Sequence, residues 1–380
     1  VYVKLMLSLS SEHINRETVK TSLKEIELHK LYELCVENEL DGVVAANIIK
    51  YELHDLPSYW IDAYNRNKET LSFLKKEAER LCEVMYDNGI KMVILKNGGI
   101  MADIMADPAA CPMEDIDSLV KKADFKRAHQ IIIDEGFIFK FRSVYEFEHL
   151  EEAYRDGSTE YYIKMPNENN MWFELAWRSI SGRWIRLDKE PNSDILIDRA
   201  YFAKNTKVGI LSPEDNLLQV CVHTAKHSYV RAPGLRLHLD VERIVTHKII
   251  DWNLFLEMVR KTHVKTAVYF SLLIPTILFG TEVPQYVLNE LRPSKRKEKE
   301  ILSILKKVGL LYPRKNKFSK LQFLRFQTLL YDTTDDVLKV LNPGLARMRE
   351  IYDFKSSILL PWFVLLRGLD LVGIRKRKVE

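Results

Sequence analysis

"CPMEDIDSLV", residues 111–120, sets three carboxylates, Glu114, Asp115 and Asp117, within four positions of a stretch that otherwise reads as a buried strand. Alternate residues of a strand share a face, so Asp115 and Asp117 point the same way with Cα atoms about 7 Å apart, while Ile116 turns to the core. Two such carboxylates repel unless a cation lies between them. A divalent metal meets that need: Mg2+ takes oxygen ligands in octahedral geometry, typically one or two carboxylates plus substrate phosphates. Glu174, in "WFELAW" (172–177), stands on a comparably apolar strand where an uncompensated charge is expensive, and is the candidate third acid. The alternative is a DxD that simply marks a strand end or turn.

Upstream, "VILKNGG" (93–99) is a strand running into Lys96, Asn97 and the pair Gly98-Gly99, whose backbone can approach a bound anion with its N–H groups exposed. "IKMVIL" (90–95), "DIDSLV" (115–120), "EYYIKM" (160–165) and "MWFELAW" (171–177) read as strands, and "DFKRAHQIIIDEG" (124–136) as an amphipathic helix ended by Gly136. Before them, "ETLSFLKKEAERLCEVMYDNG" carries Leu71, Leu74, Ala78, Leu81, Cys82 and Met85 on one helical face, with Asn88-Gly89 as the stop. From Ser212-Pro213 onward the helical period returns. The expected fold class is therefore α+β: an N-terminal helical region (1–88), a small mixed-sheet α/β core (89–211) and a C-terminal helical domain (212–380).

Composition supports a globular chain: 380 residues, 47% hydrophobic and 29% charged, suffice for one large core or two to three smaller ones. Cys35, Cys82, Cys111 and Cys221 are widely spaced, form no CxxC pair and follow no secretory pattern, so a reducing cytoplasm is the expected location. The apolar runs "AVYFSLLIPTILFG" (267–280) and "ILLPWFVLL" (358–366) fall short of the roughly 20 residues a membrane span needs and are expected as buried helices. Net charge is only +4, yet residues 292–320 hold eleven Lys/Arg against two Glu. This stretch is either a solvated linker or a phosphate-attracting surface; lacking interleaved aromatics, it is a poor nucleic-acid platform.

The order strand, Gly-Gly, helix, DxD strand resembles the nucleotidyltransferase superfamily typified by DNA polymerase beta. More narrowly, "LKNGG", "CPMEDIDSLV", the "ADFKRAHQIIIDEGF" helix, "FELAWR", "LLQVCVHTAKHSY", "LHLDVERIV" and "NPGLARMREIY" are similar to a bacterial family of uncharacterised nucleotidyltransferases, along nearly the whole chain. The resemblance implies that Asp115 and Asp117 hold the Mg2+ (or Mn2+) that activates a nucleoside triphosphate, and that Glu174 shares a second metal and aligns or deprotonates the acceptor hydroxyl. It gives Lys96, Asn97, Gly98 and Gly99 to the triphosphate. His223, Lys226 and His227 share a helical face at i, i+3 and i+4 and could reach phosphate or acceptor, although a capping or core role is open to them. Their HxxxH spacing lacks the third ligand a zinc site needs. Arg236 and Asp240 face similarly.

Three positions depart from the family pattern: Cys111 for arginine, Glu114 for glycine, and Asn97 for the glycine after lysine. Losing an arginine removes a bidentate phosphate ligand. The expected activity is transfer of a nucleotidyl or related phosphoryl-linked group, such as a sugar phosphate, to a small-molecule or peptide acceptor, with a natural-product tailoring role by association. The alternative is a catalytically weak module that keeps the fold and binds nucleotide or peptide.

Overall fold

The computed structural model describes residues 1–141, 149–180, 187–342 and 344–371. Five helices come first: α1 (Tyr2–Ser10), α2 (Arg16–Lys24), α3 (Leu28–Glu37), α4 (Asp41–Lys50) and the long α5 (Ser58–Asp87). A seven-stranded mixed sheet follows, made of β1 (Val93–Ile94), β2 (Asp115–Leu119), β3 (Ile138–Phe139), β4 (Ser158–Lys164), β5 (Asn170–Ala176), β6 (Tyr201–Phe202) and β7 (Gly209–Ile210) in the order β3-β4-β5-β2-β1-β7-β6. Helices α6 (Lys96–Asp103), α7 (Phe125–Asp134), α8 (Leu150–Asp156) and α9 (Ser193–Arg199) are interspersed. Then come α10 (Pro213–Lys226), α11 (Leu235–His247) and eight further helices ending with Leu360–Leu371. The α+β class is as the sequence indicates.

Sheet register is what places the acids. β2 runs parallel to β5, with Asp117 opposite Glu174 and Asp115 opposite Trp172. β4 runs antiparallel to β5 and sets Glu160 opposite Glu174. The alternate residues Ile116 and Phe173 face the other way, into a core shared with Phe125 and Ile132 of α7. Leu119 and Ala176, the next residues beyond Asp117 and Glu174 on the acid face, are covered by Leu196 and Ile197 of α9. The acids thus stand where an apolar cover ends.

Packing is continuous across the expected region boundaries. One core joins Leu71, Leu81 and Met85 of α5 to Ile94 and Ile116 of the sheet and to Leu217, Phe255 and Phe326 of the C-terminal helices. A second joins Leu9, Val44 and Trp60 to Leu235, Leu239 and Phe279. Helix α5 belongs to both, because 30 residues span about 45 Å.

One expectation is overturned. The run 267–280 is a buried helix over most of its length (Lys265–Phe279), but 358–366 is not: Ile358, Trp362 and Leu365 are 86%, 57% and 56% exposed. The Leu360–Leu371 helix packs through Phe363, stacked on Phe354 at 4.5 Å between ring centroids. No described helix is long and apolar enough to cross a membrane.

Candidate active site

At the end of β1 the chain enters α6 through Lys96, whose φ of +53° is a left-handed conformation that costs a non-glycine residue of order 1 kcal/mol. This strained residue is the one that meets the acids. Lys96 Nζ lies 2.5 Å from Asp117 Oδ1. Burial opposes the charge on Lys96, but Asp117, then Glu174 and Asp115, overcome it and hold the ammonium's pKa above its usual value. The Asp117 carboxyl is pushed up to about 6, first by burial, with Lys96 pulling it down and the charge and hydrogen bonding of Glu174 pushing it up again. Asp117, Glu174 and Lys96 therefore form one coupled group.

Helix α10 supplies the opposite wall. It starts at Pro213 behind the N-cap Ser212, whose hydroxyl accepts from the Asp215 N–H. Three turns later His223 and Lys226 join Lys96, Asp117 and Glu174 in lining a single cleft, together with Ser118, Arg178, Ser179 and Gln219. Gln219 Nε2 donates to the Ser179 carbonyl at 3.3 Å, which ties the segment after β5 to α10. Arg178 is held by Glu190 through contacts of 2.9 to 3.1 Å. Burial, then the neighbouring Lys96, keeps His223 well below the usual histidine range, hence neutral at pH 7.

The remaining candidates fall outside the cleft lining. His227 ends α10 as its C-cap, and its Nδ1 pairs with the Ala232 carbonyl at 2.5 Å; its ring stands 4.8 Å from that of His223. Asp115 sits two residues before Asp117 on the same strand face, and its charge reaches Lys96. Gly98 and Gly99 are not in an open turn but in the first turns of α6. The Gly99 N–H donates to the Leu95 carbonyl at 3.2 Å. Glycine is required at both for close approach: a Cβ would lie 2.7 Å from Ile94 Cγ2 at Gly98, and 2.6 Å from the Ile94 carbonyl oxygen at Gly99.

Each of the three departures from the family pattern has a partner. Asn97 Nδ2 donates to the Pro112 carbonyl at 3.1 Å, and Arg236 donates to the same oxygen at 3.0 Å. Cys111 receives Arg243 at 3.7 Å, while the other Arg243 nitrogens bind the Ala110 carbonyl at 2.7 Å and Glu12 at 3.3 Å. Glu114 pairs with Arg314 at 3.1 Å, and Arg314 also binds Glu39, which Arg236 grips at 2.7 Å. Three arginines of the C-terminal region thereby pin the segment that leads into the acid strand. Arg236 acts here through backbone and Glu39, not from a cleft wall, and Asp240 lies buried between Arg236 and Arg243.

Some of the eleven cations of the basic stretch 292–320 are paired within the fold. Arg292 binds Glu298, Lys297 the Tyr331 carbonyl, and Lys317 the carbonyls of Val308, Gly309 and Leu311. Lys317 thereby closes the C-terminal end of the helix Lys295–Val308, and Lys297 ties that helix to the end of the next one at Tyr331.

Among the described residues, no three His, Cys, Asp or Glu side chains are grouped so as to hold a metal ion as they stand. The nearest approach is the Asp117–Glu174 pair, with Asp115 along the strand. Its donors are carboxylate oxygens without thiolates, which suits a hard cation such as Mg2+ or Mn2+, and Lys96 already shows that the pair attracts positive charge.

A carboxylate pair on adjacent parallel strands, a lysine at the strand-to-helix turn and a facing helix that offers histidine and lysine meet in this cleft. The chain matches the family described as "Uncharacterised nucleotidyltransferase" over residues 24–280, and it belongs to that family. No curated protein matches it.

Proposed function

We propose that the chain is a metal-dependent nucleotidyltransferase that takes a nucleotidyl, or a related phosphoryl-linked group such as a sugar phosphate, from a nucleoside triphosphate-type donor to a small-molecule or peptide acceptor. Tailoring of a peptide natural product is the setting we favour. The observation that carries this reading is the register of Asp117 with Glu174 at the mouth of the cleft walled by His223 and Lys226.

Asp115, Asp117 and Glu174 are the residues that would hold Mg2+ or Mn2+. Such an ion, when bound, supplies charge neutralisation on the phosphates and on the attacking and leaving oxygens. The side chains do the rest. Lys96, released from Asp117, offers its ammonium to the triphosphate; Lys226 does the same from the opposite wall; neutral His223 donates or accepts one hydrogen bond without adding charge. Glu174 accepts the proton of the acceptor hydroxyl while the phosphoryl centre passes to that oxygen and the pyrophosphate-type group departs. Asn97, held on Pro112, positions the acid strand.

A second reading, a binding module without turnover, is favoured by one observation: Lys96 satisfies Asp117 where a metal would compete for it. Incubation with each α-labelled nucleoside triphosphate, Mg2+ or Mn2+ and candidate acceptors separates the two. Label transferred to an acceptor, and lost in Asp117→Asn, supports the enzyme. Saturable nucleotide binding with no label transferred and no pyrophosphate released supports the module.

A further inference from the structure

Beyond the matched residues 24–280, the helix Lys295–Val308, the helix Lys320–Leu330 and the loop between them enclose an open groove of about 1110 Å3. Its lining carries six cations, Arg296, Lys299, Lys307, Lys315, Lys317 and Arg325, against one carboxylate, Glu300. Glu300 is already answered by Arg325 at 2.6 Å, and Lys317 is spent on backbone carbonyls. Among the described residues, Arg296, Lys299 and Lys307 have no ion-pair partner. With Ser303 they succeed one another at intervals of three and four, hence on one helical stripe about 16 Å long. Between the cations the lining is apolar: Ile304, Val308 and Leu310 lie half-buried against the main core. The loop wall is pinned, since the Tyr312 N–H donates to Asn38 at 2.7 Å, the Pro313 carbonyl accepts from the Ala232 N–H at 3.1 Å, and Arg314 binds Glu39 and Glu114. The groove is therefore formed before anything enters it.

We propose that this groove binds an extended acidic peptide segment, whose carboxylates meet the cations and whose apolar side chains rest on Ile304, Val308 and Leu310. Charge complementarity selects the occupant: cations strung along about 16 Å do not converge on one small anion, but they match the carboxylates of about five residues of extended chain. Four of the six are lysines, point charges that take carboxylates without demanding the bidentate geometry of a single phosphate. A single-stranded nucleic acid would need open rings on which to stack its bases. The two rings of the lining are not open: Phe318 is 9% exposed and packs on Phe323 and Phe326, and the Lys315 ammonium covers the Tyr312 ring at 4.1 Å. The proposal concerns binding and is independent of the transferase reading.

Fluorescence anisotropy of the full chain with a fluorescein-labelled peptide of about ten residues, in which Glu alternates with Leu and Ser, tests it. Binding should saturate, weaken as salt is added, and fall by about tenfold or more when every Glu of the peptide is replaced by Gln. Lys299→Gln combined with Lys307→Gln should weaken binding by about tenfold. Because neither side chain has an ion-pair partner, circular dichroism and the melting temperature of that variant should match wild type. No saturable binding, equal binding of the Gln peptide, or a double variant that binds as wild type does overturns the proposal. So does a single-stranded oligonucleotide of the same net charge that binds more tightly than the Glu peptide, because the groove would then take phosphates and not carboxylates. Neither nucleotide donor nor metal enters the assay, so its failure leaves the transferase reading untouched, and the failure of that reading leaves the groove.

Discussion

Two clusters of buried charge in this molecule each centre on a carboxylate raised by burial and answered by cations. In the first, Asp117 is pushed up to about 6 by burial and is answered by Lys96. In the second, Asp240 is pushed up to about 6 by burial and is answered by Arg243 and Arg236. The first lines a cleft between the sheet and α10; the second is carried on the buried side of α11, with Asp240 and Arg243 each 2% exposed, and spends its cations on the Ala110 and Pro112 carbonyls, Cys111, Glu12 and Glu39. A perturbed carboxylate therefore marks function only where a substrate can reach it. The sealed cluster instead fixes the segment 110–114 from which the acid strand departs, whereas the first faces the cleft.

That contrast is broken most directly by removing the open carboxylate. Asp117→Asn should lower metal-dependent transfer by about a thousandfold or more, measured as initial rate with labelled donor, while the fold persists in circular dichroism. The corresponding lesion in the sealed cluster should act on stability. Arg243→Met leaves Glu12 with His247 and Asp240 with Arg236 as their remaining cationic partners and should cost about 3–5 kcal/mol in urea unfolding, with residual activity per folded molecule within about tenfold of wild type.

Acidity sharpens the same comparison at a smaller scale. Because the Asp117 pKa is raised in the folded state, the folded protein holds a proton there that the unfolded chain has lost between about pH 4 and 6; this stabilising contribution is present below that window and is lost as pH rises through it. Wild type should accordingly lose up to about 2–3 kcal/mol relative to Asp117→Asn as pH rises from 4 to 7. Mg2+ competes with that proton, so the rise in melting temperature on adding Mg2+ and nucleotide should grow between pH 5 and 7 in wild type. A shift that is flat with pH would remove Asp117 from the metal site. The smallest expected effect is at Glu114: it and Arg314 are both 69% exposed, and Glu114→Gln should change stability by less than about 1 kcal/mol.

Much of the site was legible because strand alternation and the strand-to-helix turn are local. Asp117 and Glu174 emerged on one face, and Lys96 at the turn, from spacing and family likeness. Helical spacing also brought His223 and Lys226 to the cleft. It failed at His227, where α10 ends and the C-cap conformation redirects the ring to Ala232. Glu160, opposite Glu174, was signalled by the alternation of "EYYIKM" but needs the register to be seen. Arg178, Gln219, Arg236 and Arg243 depend on contacts up to 231 residues apart in sequence, which no periodicity encodes. Two-residue strands such as β3, β6 and β7 are too short to show a period at all. The arginine missing at Cys111 looked like a loss of phosphate binding; in the folded chain each of the three departures is one half of a tertiary pair.

The measurement that bears most directly on the difference between the two clusters is a set of melting curves for wild type, Asp117→Asn and Asp240→Asn, each with and without Mg2+ plus nucleoside triphosphate. Wild type and Asp240→Asn should both be stabilised by ligand, whatever the second substitution does to the unliganded protein. Asp117→Asn should melt within about 1–2 kcal/mol of wild type without ligand and show no ligand-dependent shift. A ligand response retained in Asp117→Asn and lost in Asp240→Asn would reverse the assignment and place the metal in the sealed cluster.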